Sequence, residues 1–172
     1  TCATVPLMTL KQLLIIFAVR LSREATGDAY DEGHTLAIAE SIYEATDDYS
    51  ELETLVRIAR WEGGFRRDIA NCSVRGDSGQ ALGPWQVHYR NDFEKVWLCN
   101  DYVFSAKIAL ERMNESYNWC RKFGLKGSDL LSGYTVGKCT KNSPSAKIRW
   151  GNGNVFSHIF EEYMQYNSNE FR

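Results

Sequence analysis

The chain has 172 residues, enough for one domain with a substantial core and too few for two ordinary ones. Hydrophobic residues make up 44% and aromatics 13%, which excludes a disordered or low-complexity chain. Twenty Lys and Arg against 22 Asp and Glu leave a net charge of −2, so no nucleic acid and no membrane surface is implied as a partner.

In chain order, Leu10, Leu13, Leu14, Phe17 and Leu21 recur at three- and four-residue steps and predict an amphipathic helix. Its apolar run, Leu13 to Val19, is seven residues, far below the roughly 20 that span a bilayer. Arg20 and Arg23 follow it where a signal peptide would place small residues, so no membrane span and no signal is read there. The missing initiator Met suggests residues removed from, or lying outside, this chain. After a loop over Gly27 to Gly33, Leu36, Ile38, Ala39 and Ile42 predict a second helix ending near Ala45. A third begins near Tyr49 and Ser50, with Ser50 and Glu53 spaced as a capping box. Leu52, Leu55, Val56 and Ala59 would face the core, with Trp61 or Phe65 after them, and Gly63-Gly64 ends the helix. From Cys72 to His88 glycines recur every few residues, the chemistry of a small irregular β-hairpin. Val103, Ala106, Leu110, Met113, Tyr117 and Cys120 then form a long helical stripe. A shorter helix is expected over Ser128 to Val136, and a last one, about 155–166, on Phe156, Ile159, Phe160 and Tyr163. The expectation is a mainly α (α+β) single domain over 1–172: N-terminal helices within 1–45 pack on a core over 49–139 that carries one glycine-rich hairpin.

Charge is unevenly spread. Residues 24–53 hold ten acids and no Lys or Arg, a solvated face of two helices, and the remainder carries a net of +8. Arg57, Arg60, Arg66, Arg67 and Arg75 share nineteen residues with only Glu62 and Asp68 as acids, a local +3 that would face an anionic substrate.

Five cysteines without a CxxC pair lean toward an oxidising compartment. If Asp101 to Cys120 is helical, Cys99 and Cys120 lie about 28 Å apart and cannot pair. Cys72 with Cys99 and Cys120 with Cys139 is the simplest pattern. Cys72 with Cys120 plus Cys99 with Cys139, or Cys72 with Cys139 alone, stays open, and Cys2 is a spare thiol. His34, His88 and His158 show no metal-ligand spacing, and neither a metal nor an organic cofactor is called for.

Glu62 is the first candidate for chemistry. A carboxylate in the last turn of a helix faces the negative end of the dipole, and Trp61 and Phe65 beside it would desolvate it. Both effects favour the neutral form that a general acid needs. W-E-G-G-F at Trp61 to Phe65, G-D-S-G-Q-A-L-G-P-W-Q-V at Gly76 to Val87 and G-Y-T-V-G at Gly133 to Gly137 follow in that order. Together they resemble the lysozyme-like superfamily, and more narrowly goose-type lysozymes and soluble lytic transglycosylases. The resemblance covers roughly Leu36 to Cys139. It implies a lysozyme-like fold in which Glu62 is the catalytic acid, Gly83 and Gln86 belong to the Gly-x-x-Gln strand, and Tyr134 belongs to the aromatic turn. Gly63 departs from the family's Ser, Pro84-Trp85 from its Leu-Met, and Y-T-V from its A-Y-N.

Asp77 lies six residues before Gly83, where goose-type lysozymes carry a second acid, and Ala81 stands where hen-type lysozymes carry theirs. The spacing implies an inverting hydrolase in which Asp77 orients water; otherwise Asp77 is a turn residue. Trp85 would stack on a sugar ring or fill the core, and Gly83, Gln86, His88 and Tyr134 would line the cleft and contact substrate. The resemblance thus implies a peptidoglycan muramidase. A lytic transglycosylase that uses the same acid is one alternative, and a catalytically silent glycan-binding or structural module is another. Peptidoglycan glycan strands are the expected partner, in a periplasmic or extracellular setting, as a phage endolysin, a virion-borne lysin or a secreted enzyme.

Overall fold

The computed structural model describes residues 7–169, and Cys2 lies outside them. Helix α1 spans Leu10–Thr26, opened by a capping box between Thr9 and Gln12. Helix α2 spans Glu32–Ala45, with Asp31 accepting from the backbone N–H of His34. Helix α3 spans Tyr49–Glu62, and its cap is Asp48, whose carboxylate accepts from the Glu51 N–H at 3.0 Å. The capping box expected on Ser50 and Glu53 is therefore not formed. Asp48 supplies the acceptor two residues earlier, Ser50 donates to it at 2.6 Å, and Glu53 is drawn inside.

Glu53 is also the exception to the solvated acidic face, being 4% exposed. It holds Arg57 Nε at 2.7 Å and accepts from the Gly153 and Val155 backbone N–H groups. An acid inside is tolerated because cationic and backbone donors replace its water. This pairing fastens the start of the last helix, α9 (Val155–Asn169), to α3.

Helix α3 ends as the sequence indicates, with Gly63 in the left-handed conformation at φ 82°. A one-turn helix α4 (Arg67–Ala70) leads to Cys72 and the hairpin. Its strands are β1 (Ala81–Leu82) and β2 (Val87–His88), antiparallel with Ala81 opposite His88. Helix α5 (Asp92–Asn100) was not expected from the sequence. Its exposed Phe93 and Trp97 and buried Leu98 blur any single apolar face. The long stripe forms α6 (Tyr102–Arg121). The helix expected over Ser128 to Val136 is a 3-10 turn at Gly127–Leu131 followed by α7 (Ser132–Val136). Helix α8 (Pro144–Arg149), also unexpected, is capped by Ser143 with Pro144 in its first turn.

The architecture is mainly α with one short hairpin. Helix α1 packs on α2, α3 and α9, and α2 packs on α6; the C-terminal part of α6 carries the 3-10 turn and α7, and α8 bridges these to α3. A contiguous core runs through Leu14, Ile38, Leu55, Trp85, Met113 and Phe156. Two disulfides, Cys72–Cys99 and Cys120–Cys139, are formed, the simplest pairing that the sequence allows. They suit an oxidising, extracellular-type environment. No helix among the described residues is long and apolar enough to cross a membrane.

Candidate active site

The three motifs that lie far apart in the sequence meet at the end of α3. Trp85 is the anchor. It is fully buried, and its indole N–H donates to the Leu55 carbonyl of α3 at 2.9 Å. The hairpin is thereby pinned under the last turns of α3, so close that a Cβ at Gly64 would collide with the Pro84 carbonyl. From the other side, Tyr134 of α7 donates its phenol O–H to the Trp85 carbonyl at 2.9 Å. Burial, and next the charge of the nearby Glu62, push the Tyr134 phenol above its ordinary range, so it remains a donor at every physiological pH.

Trp85 does not line a sugar cleft. With no exposed surface it offers no face for a ring to stack on, because filling the gap between α3 and the hairpin consumes both faces. Gly83 does not touch substrate either. It holds φ 76°, and a side chain there would strike the Leu98 carbonyl and the Ser105 hydroxyl, so its role is to let the hairpin lie against α5 and α6.

A cleft of about 830 Å³ opens beside this junction, bordered by Asp77, Gln86, His88, Trp119 and Tyr134. Four of these five were read from the sequence. Asp77 and His88 form a pair, Oδ2 to Nε2, at 2.9 Å. The strand register explains it: Gly76 bridges to Ala81, which faces His88. Asp77 and Gln86 both hold positive φ, 49° and 47°, a backbone state costly for residues with a Cβ and concentrated where side chains must be aimed. Gln86 donates its amide to the Gly83 carbonyl at 2.9 Å. Trp119, 43% exposed, supplies the aromatic surface that Trp85 cannot. Its sequence signal was its place on α6 outside the apolar stripe. The cleft wall is braced by Arg90, which grips Glu115 with both terminal nitrogens and holds that carboxyl below its ordinary range. Arg112 donates from one terminal nitrogen to both oxygens of buried Glu94 at 2.8 Å, tying α5 to α6.

Glu62 lies beyond the residues that border the cleft and is connected to it through Tyr134. Its surroundings differ from the apolar ones expected: Trp61 turns outward, 46% exposed, and Phe65 is in the core. The partner of Glu62 is Arg149 of α8, whose Nε donates to Oε1 at 2.8 Å, while another guanidinium nitrogen donates to the Ser145 carbonyl. Arg149 lies 87 positions along the chain, and nothing local in the sequence marks it. Behind Glu62, His34 is 1% exposed and donates Nε2–H to the Gly64 carbonyl at 2.9 Å. Burial lowers the His34 pKa, so the ring is held neutral.

The arginines expected to face an anionic substrate are engaged elsewhere. Arg57 pairs with Glu53, Arg66 with Asp68 and Arg67 with Asp31. Arg60 lies 4.3 Å from the Trp61 ring centre, and Arg75 donates to the Cys72 carbonyl. Comparison with family models, with curated proteins and with solved structures finds no match to this chain.

Proposed function

We propose that this protein is a lysozyme-like glycosidase that cleaves the β-1,4 bond between N-acetylmuramic acid and N-acetylglucosamine in peptidoglycan, with Glu62 as general acid. The observation that carries this reading is the junction itself: the end of α3, the hairpin and Tyr134 are locked together by Gly64 against Pro84 and by the Tyr134 to Trp85 hydrogen bond, beside a cleft sized for several sugar rings. To act, Glu62 must first take a proton on Oε2, the oxygen that Arg149 leaves free, and then hand it to the leaving oxygen. Asp77, with Oδ2 on His88, keeps Oδ1 to orient the attacking water, as an inverting mechanism requires. Gln86 and Trp119 provide hydrogen bonding and stacking for the glycan. Action on a cell wall, whether from a phage particle or by secretion, follows from the substrate and agrees with the two disulfides.

Clearing of purified cell walls by wild type, and its loss by at least about 10²-fold in Glu62→Gln, tests the assignment. Mass spectrometry of the products separates the hydrolase from a lytic transglycosylase, because anhydro-muramic ends exclude a water-activating Asp77. The Glu62–Arg149 ion pair favours one other reading, a silent module that binds glycan, since it engages the acid with a cation in the resting protein. Equal and negligible clearing by wild type and Glu62→Gln would establish that reading instead.

A further inference from the structure

Residues 121–149 carry seven Lys and Arg and the single acid Asp129, a local net of +6. Arg149 is spent on Glu62, but unlike the arginine run the lysines of this stretch are not. Lys122, Lys126, Lys138, Lys141 and Lys147 are all exposed, and none makes an ion pair or side-chain hydrogen bond among the described residues. Arg121 reaches only the neutral Asn118, and Asp129 is occupied by the Asn142 backbone N–H at 2.9 Å. The tertiary structure gathers these lysines on one lobe. The Cys120–Cys139 bridge, with its Cα atoms 5.1 Å apart, joins the end of α6, which Lys122 follows, to the segment that carries Lys138. The Asp129 bond brings Lys141 to the 3-10 turn that Lys126 precedes, and α8, which carries Lys147, packs on that turn and on α7.

The lobe adjoins the cleft at one point: Gly133 to Gly137 form one wall of it, and Lys138 follows directly. We infer that this lysine lobe binds the carboxylates carried by the same glycan strand that the cleft holds, so that the enzyme selects acid-substituted glycan over neutral chitin-like chains. This inference rests on the glycosidase reading for what fills the cleft. Lysine suits such a ligand: an ammonium on a flexible stem follows irregularly placed single charges, whereas Arg would favour fixed bidentate sites. Unpaired cations of one sign beside a cleft also raise the local concentration of an anionic polymer.

Binding is measured by co-sedimentation of the full chain with purified peptidoglycan sacculi, in a Glu62→Gln background so that the polymer is not consumed. Replacing Lys122, Lys126, Lys138, Lys141 and Lys147 together by Gln is expected to weaken binding about tenfold or more in low salt, as five modest contributions multiply. The difference should shrink in roughly half-molar salt, where screening is complete within about 5 Å. Amidating the sacculus carboxyls should weaken wild-type binding to the same degree. A control lacking Lys11, Lys95 and Lys107 should bind as wild type does. The inference is overturned if the five-lysine variant binds like its parent or amidated sacculi bind undiminished. It is equally overturned if stripping phosphodiester polymers alone abolishes binding, or if duplex DNA of equal charge competes as well as sacculi do. Charge-dependent binding without any clearing by wild type would retain the lobe and reject the glycosidase.

Discussion

Two basic regions of this protein have opposite fates. The run from Arg57 to Arg75 is the denser cluster of arginine in the sequence, yet three of its five members are paired with acids, one lies over an indole and one meets a carbonyl. The stretch from Arg121 to Arg149 looks like ordinary loop and helix surface, yet it keeps five lysines exposed and unpaired among the described residues. What matters to an approaching anion is the charge left after the fold has formed its own pairs. The acids of residues 24–53 neutralise much of the first region because Asp31 and Glu53 are brought to it; in the second only Arg149 meets an acid, Glu62, and the lysines meet none among the described residues.

The strongest way to break this contrast is to open the lobe. Replacing Cys139 by Ser removes a crosslink spanning 19 positions and should cost about 3 kcal/mol, read as a lower midpoint of thermal unfolding, while scattering the lysines. A midpoint shift below one degree would show that packing of the 3-10 turn and α8 holds the lobe unaided. A somewhat smaller loss is expected when the paired region is broken at its centre. Glu53→Ala strands a partly exposed Arg57 and frees two backbone N–H groups, at about 2–3 kcal/mol in urea unfolding. Unchanged stability would mean that α9 is fastened by apolar contacts alone.

The third effect depends on pH. His34 has a native pKa below its ordinary value, chiefly through burial, so the unfolded chain takes up a proton more readily than the folded one. Stability from this site is therefore full above about pH 6.5 and declines as pH falls from there through the depressed native value. His34→Gln, which can still donate to the Gly64 carbonyl, should flatten that decline, and an identical pH profile in the variant would assign the decline to another group. The smallest change is expected at Arg66→Gln. Its ion pair with Asp68 is more than half exposed on the Arg side, so stability should move by less than about 0.5 kcal/mol. Wall binding should stay unchanged too. A clear loss of wall binding would place the anion-binding surface on the arginine run after all.

The outline of the fold was legible because its signals are local. Gly63 at the end of α3, the glycine-rich hairpin and the stripe on α6 act through one or two turns of backbone. The cysteine pairing was narrowed because a rigid α6 keeps Cys99 and Cys120 apart, and the structure chose among the pairings left open. Helix α8 had a local signal in Ser143-Pro144, but its six residues are too few to show an apolar period. The site was only half legible. Asp77, Gln86, His88 and Tyr134 border the cleft, whereas Trp85 and Gly83 from the same motif are structural, since sequence order cannot say which face of a two-residue strand meets the core.

By itself the sequence determined most of the longer helices, the break at Gly63 and the hairpin, all through interactions within a few residues. Only the tertiary structure decided that Glu62 is held by Arg149 from 87 positions away, that Trp119 rather than Trp85 faces the cleft, and that lysine rather than arginine carries the free positive charge. Those outcomes depend on which side chains converge in space, and convergence is set by the packing of whole helices against a shared core, where no local pattern records the partner.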